Sequence, residues 1–491
     1  MRPALALRPL LLLAAVRFLL HTLTNGQYGF HRDELAFLAD ARNLDWCFPA
    51  YPPLTPFLAR LALTLLGDST TAVRTLTALA QCAVMFTTGM IARELGASPR
   101  AQILAALASF ASPVSLIAGH LFQYMSFDFL WSVLLIWIVL RLINTENPRW
   151  LLAAGLICGL GLLTRYTIVI VIAGLAAGLL LTPARRLLFN RHLLYGSALA
   201  LLLCAPTLLW QINHNYLALD FTSAIHARDI RIGRTDGFLL KQFVVPAHLL
   251  TVPLWIAGLW FLLRRPEAAR HRPIAFGFLI SLALYTLAQA RDYYTAPLYP
   301  ALLAAGSLLA VEWRSWLRRT QYAAIALAII STFALFVPAA PPGTAWFRTV
   351  MSINGDLAEE IGWPEFVAAT AAVYNALPPA ERAATGILAS NYGEAGALVH
   401  YGPAHNLPPV MSRVNSFWLR GYDPRQPQTL IATGFSREFV DRHFQSCELK
   451  GHITNSLGVA NEETKFNKYI WLCRNPRDPW PILWQKIRVW S

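Results

Sequence analysis

Apolar runs of about 17–25 residues recur from Leu10 to Val337 and then stop. A run of that length spans the hydrocarbon core of a bilayer as a helix, and a chain with many of them has few other folds open to it. Composition agrees: 56% of residues are hydrophobic and 14% charged, where an ordinary soluble protein carries about a quarter charged. A soluble enzyme, a collagen-like chain and a disordered chain are excluded. The reading is a polytopic α-helical membrane protein with a watery tail.

The formal net charge of +14 is unevenly spread. Residues 339–491 hold 14 Lys+Arg and 13 Asp+Glu, whereas the preceding 338 residues hold 27 and 14. The basic excess therefore belongs to the membrane part, where Lys and Arg mark cytoplasmic loops. A nucleic-acid partner would want a basic face with interleaved aromatics on a soluble domain. The tail has none, so no nucleic-acid partner is expected.

The first run, Leu10–Leu20, follows Arg2 and Arg8 and has no small-x-small cleavage site after it, so it reads as an uncleaved signal anchor with its N-terminus in the cytoplasm. Windowed hydropathy then puts spans at about 8–24, 70–92, 101–118, 126–143, 150–163, 166–182, 193–210, 242–263, 273–289, 295–311 and 321–338. The short loops this places inside carry Arg185, Arg186, Arg191, Arg264, Arg265, Arg270, Arg272, Arg314, Arg318 and Arg319; the outside loops 119–125 and 289–294 carry Arg291 alone. The asymmetry predicts about 11 transmembrane helices, with the tail outside. Trp150–Leu181 is open to two readings, two short helices or one long kinked one.

The domains are then 1–340, a membrane unit with a first outer loop at about 25–69, and 341–491, an extracytoplasmic α/β domain. In the tail, Pro364–Leu377 has helical spacing, and Thr385–Ser390, Thr429–Gly434 and Lys468–Arg474 read as buried strands. Cys82, Cys158 and Cys204 lie in apolar spans as small core residues. Cys447 and Cys473 lie on candidate strands, and on an oxidising side a disulfide between them is open. No paired CxxC zinc spacing is present.

A charge at bilayer depth costs at least a few kcal/mol unless solvated or paired, so the ionisable residues accompanying the spans on the outer side are informative. Phe30-His31-Arg32-Asp33-Glu34-Leu35 comes first. Adjacent carboxylates can hold a metal, a proton or a cation, and either could act as a general base. The plainer reading is a helix start with acids at its positive end. Asp128, in Gln123-Tyr124-Met125-Ser126-Phe127-Asp128, falls near the outer end of the fourth span, either in a first turn capped by Ser126 or facing a wet cavity. Arg291-Asp292-Tyr293-Tyr294 is either an internal ion pair with interfacial tyrosines or a cationic site. Arg165, after the fifth span, adds a cation on the same side, as does Lys241, and Arg suits a phosphate group. The prolines of Tyr51-Pro52-Pro53-Leu54 stiffen a loop that either positions the acidic pair or merely separates two interfacial helices.

In order along the chain, Phe30–Leu35, Pro52-Pro53-Leu54, Met125–Asp128, Gly161-Leu162-Leu163-Thr164-Arg165-Tyr166-Thr167 and Arg291–Pro300 resemble the bacterial protein O-mannosyltransferase family, relatives of aminoarabinose transferase. Ala389-Ser390-Asn391-Tyr392-Gly393-Glu394-Ala395-Gly396-Ala397 is similar to the same group's outer domain. The resemblance implies a GT-C membrane glycosyltransferase of the glycosyltransferase family 39 kind. Such enzymes move a sugar from a polyprenyl-phosphate carrier to a lipid, protein or glycan acceptor on the extracytoplasmic face of the inner (plasma) membrane. It maps an essential acidic pair onto Asp33 and Glu34 and a further acid onto Asp128. Tyr51 stands where the turn more often has His, and Arg165 where Lys is usual.

On this reading Asp33 or Glu34 is the base at the acceptor hydroxyl and Asp128 orients sugar or acceptor. Arg165 and Arg291 neutralise the departing phosphate. His31, Arg32, Tyr124, Asp292, Tyr293 and Tyr294 line the substrate site, displacement is inverting, and a divalent metal on His31, Asp33 and Glu34 is a further option. The competing class is a secondary transporter with an outward acid and arginine cluster, against which stands the absence of a repeat of the acidic segment in the second half. A non-catalytic scaffold that recruits partners through the tail is a third reading.

Overall fold

The computed structural model describes residues 3–466 and 468–491; Arg2, counted above beside the first run, lies outside them. The membrane part is helical: α1 (Leu7–Thr24), α2 (Arg32–Arg42), α3 (Leu54–Leu65), α4 (Thr70–Glu94), α5 (Pro99–Phe110), α6 (Pro113–His120), α7 (Tyr124–Thr145), α8 (Trp150–Leu162), α9 (Ile168–Leu180), α10 (Arg191–Asn213), α11 (Leu217–Arg231), α12 (Val252–Arg264), α13 (Arg272–Leu287), α14 (Tyr299–Ala310) and α15 (Ser315–Phe336). Five of these, α1, α4, α7, α10 and α15, are each long and apolar enough to cross a bilayer. The anticipated span 101–118 is instead two helices, α5 and α6, bent by 69°. Ser112 accepts from the Ser115 amide and Pro113 opens the new helix, so cap and proline together end one helix and start the next.

Trp150–Leu181 resolves into two short helices, broken at Thr164–Thr167. The span expected over 242–263 begins late: Pro246 lies ahead of it, and regular α-helix starts only at Val252, with Pro253 in its first turn. Ahead of it lies α11, in a stretch that hydropathy left unassigned.

Small residues let the helices touch backbone to backbone. A Cβ at Gly306 of α14 would lie 1.9 Å from the Leu254 carbonyl oxygen on α12, and one at Gly155 of α8 would lie 2.1 Å from the Gly196 carbonyl oxygen on α10.

The tail is α/β. Strands β1 (Thr385–Ala389), β2 (Val410–Ser412), β3 (Thr429–Thr433), β4 (Phe444–His452) and β5 (Tyr469–Pro476) form one sheet in the order β2-β1-β3-β5-β4. β1 pairs in parallel with β2 and β3, while β5 runs antiparallel to β3 and β4. The helix read at Pro364–Leu377 is α16 (Trp363–Asn375), and the three strands read from sequence are β1, β3 and β5. Cys447 and Cys473 face each other across β4 and β5 and are joined as a disulfide.

One apolar face of the sheet shares a core with the segment between α1 and α4. Phe30, Leu35, Phe37 and Leu38 pack with Trp363, Phe366, Ile387 and Leu398. Helix α17 (Tyr392–Tyr401) lies on α2 so closely that a Cβ at Gly396 would stand 2.7 Å from the Leu35 backbone. A further helix, α18 (Asn415–Leu419), brings Ser416 within 2.9 Å of Asp40. Asp40 is buried, accepts also from Tyr51 Oη at 2.6 Å, and pairs with Arg420. Tyr51 thus serves α2 as a hydrogen-bond donor, and burial beside Asp40 pushes its phenol well above the usual range, keeping the proton on it.

Gly306→Val places two methyl groups where the α12 backbone already lies, a clash beyond the roughly 1–3 kcal/mol of ordinary overpacking. The variant is expected to lose its monodisperse peak on size exclusion in mild detergent; a parental profile would refute the close crossing.

Candidate active site

The site begins with the cap of α2. His31 is extended, its Nδ1 accepts from the Asp33 amide at 3.1 Å, and Glu34 Oε2 accepts from the His31 amide at 2.8 Å. This is a reciprocal capping box with His in the place of Ser or Thr. Successive side chains on a helix diverge by about 100°, so the two acids are sent in different directions.

Glu34 goes inward. It is fully buried, accepts from Arg74 Nε at 2.8 Å and a terminal Arg74 nitrogen at 2.6 Å, and takes the Phe122 amide at 2.7 Å. Arg74 also lies 3.3 Å from Glu360 of the tail, which meets His120 Nε2 at 2.9 Å. Asp33 stays at the rim, its side chain 31% exposed. One oxygen accepts from Gln123 Nε2 at 2.5 Å and the other from Tyr392 Oη at 2.8 Å.

Gln123 stands just before α7, and the next residue leads into the second half of the site. Tyr124 packs edge-on against Phe37 at 5.8 Å and presents its ring to Arg165 at 4.7 Å. Arg165 sits in the break between α8 and α9, its guanidinium also 4.1 Å from the Tyr294 ring and 5.8 Å from that of Tyr293. Ring faces attract a cation without consuming its N–H donors. Arg165, Asp128, Tyr293 and Tyr294 line one small cavity with Met125 and Pro297. Asp128 is buried there, and its Oδ1 has no hydrogen-bond partner among the described residues. Ser126 is not a cap: its hydroxyl donates to the Leu121 carbonyl, and Asp128 lies a turn inside α7.

The Arg291-Asp292 pair considered from sequence is crossed instead. Arg291 binds Asp229 of α11 at 2.6 Å and reaches Tyr293 Oη at 3.4 Å, while Asp292 lies 3.4 Å from Lys241. Arg32 faces the tail, paired with Glu462 and, at 3.9 Å, with Glu463, and stacked over Tyr392 at 4.9 Å. His31 Nδ1 is 4.0 Å from Asp33, but Glu34 is turned away into Arg74. Among the described residues no three His, Cys, Asp or Glu side chains gather to hold a metal, and these three do not fit one. Sequence reasoning missed Arg74, Gln123, Tyr392, Asp229 and Glu360. An arginine within a candidate span was the available signal for Arg74; the others announce themselves only through distant partners.

A partly exposed carboxylate held by Gln123, the residue before Tyr124, and a guanidinium boxed by tyrosines can take a proton at one point and stabilise an anion at another. Residues 50–210 match the family model for dolichyl-phosphate-mannose-protein mannosyltransferase. The structure superimposes on ArnT from Cupriavidus metallidurans in the apo state with a TM-score of 0.62, at 14% identity, over 96% of this chain and 98% of that one. The fold is that of the GT-C glycosyltransferases. ArnT bound to undecaprenyl phosphate matches similarly, with a TM-score of 0.61 and 14% identity over 94% and 97% of the two chains. The lipid A galacturonosyltransferase RgtD of Rhizobium johnstonii is 28% identical over 209 residues, a match spanning 42% of this chain and 43% of that relative. The segment matched by the mannosyltransferase family model takes in Tyr124, Asp128 and Arg165, whereas Asp33, Arg291 and the tail lie beyond it.

Arg74→Met leaves Glu34 and Glu360 buried without their shared cation, a loss of about 3–5 kcal/mol. Its melting temperature in detergent should fall by several degrees, while Asp33→Asn, at a partly exposed position, should melt close to the parent. Equal melting of Arg74→Met and parent would contradict the bridging role.

Proposed function

We propose that this chain transfers a sugar from a polyprenyl-phosphate carrier to an acceptor hydroxyl, with inversion, on the extracytoplasmic side of the inner (plasma) membrane. The observation that carries the reading is the Arg165 cage. Its cation stands among three tyrosine rings in a cavity with Asp128, and the adjacent Gln123 hydrogen-bonds Asp33. Such an arrangement matches the needs of a sugar phosphate donor, whose leaving group becomes more anionic as the anomeric bond breaks.

Asp33 is the base. It accepts the acceptor's hydroxyl proton as the oxygen attacks the anomeric carbon, while the bond from that carbon to the phosphate oxygen breaks and the electron pair leaves with the phosphate. Arg165 neutralises that phosphate, and Arg291, steadied by Asp229, adds positive charge at the edge of the tyrosine cluster. Asp128 orients sugar or acceptor. Glu34 sets the position of α2 and takes no part in proton transfer. Two observations support the sidedness: the arginine asymmetry of the loops, and a tail disulfide suited to an oxidising compartment. A lipid acceptor is the first to test, since the relative RgtD is named for lipid A.

Membranes containing the protein, supplied with labelled polyprenyl-phosphate sugars, should label a lipid, protein or glycan product. Asp33→Asn should reduce turnover by about 10²–10⁴-fold with protein levels kept. Transfer at the parental rate by Asp33→Asn would remove the base from this reading.

A further inference from the structure

Asp33 belongs to the membrane part, yet one of its two hydrogen-bond donors comes from the tail, 359 residues further on. We propose that Tyr392 is a positioning residue for the transfer reaction: its hydroxyl fixes the Asp33 carboxylate so that the remaining lone pairs face the acceptor, which makes the tail part of the catalytic apparatus. This rests on the reading of Asp33 as base.

The contact is built rather than incidental. Tyr392 is the first residue of α17, and Asn391 before it caps that helix by accepting from the Glu394 amide at 2.9 Å. Arg32, next to Asp33 in sequence, covers the Tyr392 ring at 4.9 Å and is itself held by Glu462 and Glu463. Asn391 Nδ2 reaches Glu463 at 3.4 Å, so the same acid braces both sides of the contact. Gly393 cannot carry a side chain, because its Cβ would stand 2.8 Å from Arg32 Cβ. Ring, cation and backbone thus leave the Tyr392 hydroxyl little choice but Asp33.

The chemistry suits a donor. Burial and the neighbouring carboxylate push the Tyr392 phenol far above its usual range, so it stays neutral and donates. Gln123 Nε2 supplies the matching bond to the other oxygen at 2.5 Å. Two fixed donors leave a carboxylate with lone pairs in defined directions, the arrangement that a general base needs before its substrate arrives. The other charged or titratable groups around Asp33 are His31, 4.0 Å away on its own helix, Arg32 with its two glutamates, and Tyr51 within electrostatic reach.

The test uses the full-length protein in detergent or nanodiscs with a labelled polyprenyl-phosphate sugar. Tyr392→Phe is expected to lower kcat about 10-fold or more with little change in KM for the donor. It should also move the acidic limb of the kcat/KM pH profile upward by about one pH unit, since one charge-assisted hydrogen bond is lost. Replacing Tyr392 with 3-fluorotyrosine, a stronger donor of nearly the same shape, should move that limb downward. Arg42→Gln removes a tail contact remote from Asp33, the bond to the Val399 carbonyl, and should leave the limb in place. A limb that stays put in both Tyr392 variants overturns the inference even where turnover falls, since that is the mark of a docking contact alone; the fluorotyrosine protein decides the matter if Tyr392→Phe does not fold. Asp33→Asn run in parallel separates the two claims: parental activity there defeats the base assignment, whereas an inactive Asp33→Asn with unmoved Tyr392 variants defeats only the role of Tyr392.

Discussion

The buried contact of Glu34, Arg74 and Glu360 is the constraint on which the joining of helices and tail depends. Arg74 is wholly enclosed near the start of a membrane-length helix, and a guanidinium so placed needs paired carboxylates. It obtains one from α2 and one from the tail, with His120 closing the group from α6. One charge thereby fixes the relative placement of four chain segments. Asp33 is positioned as a consequence: once Glu34 is drawn inward, the neighbouring carboxylate has only the rim to face.

The tail is tied to the bundle by more than this cluster. Arg32 with Glu462 and Glu463, Tyr392 with Asp33, and Arg420 with Asp40 all cross between the tail and α2. They surround an apolar core that both parts share. Opposite-sign groups partly removed from water hold direction better than apolar contacts do, because they lose most when misaligned. The tail therefore meets the helix that bears the candidate base at several separate points.

Much of the architecture was legible along the chain. The helices of the membrane part fall near the apolar runs, and β1, β3, β5 and α16 lie close to the tail elements read from spacing. The bend between α5 and α6 was missed because hydropathy averages over a cap and a proline that act at single residues. At the site, residues expected to line it (Tyr124, Asp128, Arg165, Tyr293 and Tyr294) lie together. The partners of Arg291 and Asp292 were not legible, because adjacency in sequence says little about which way two neighbouring side chains point.

The amino-acid sequence by itself determined that this chain is a bundle of apolar helices with a mixed tail, since helix length, apolar runs and turn residues are local properties. Only the tertiary structure decided which of two adjacent acids is buried and which stays partly exposed, and that a tyrosine from the tail reaches one of them. The reason is physical. A buried charge must find its partner wherever the chain has put it, and the segments that meet around Arg74 and Asp33 are separated by hundreds of residues.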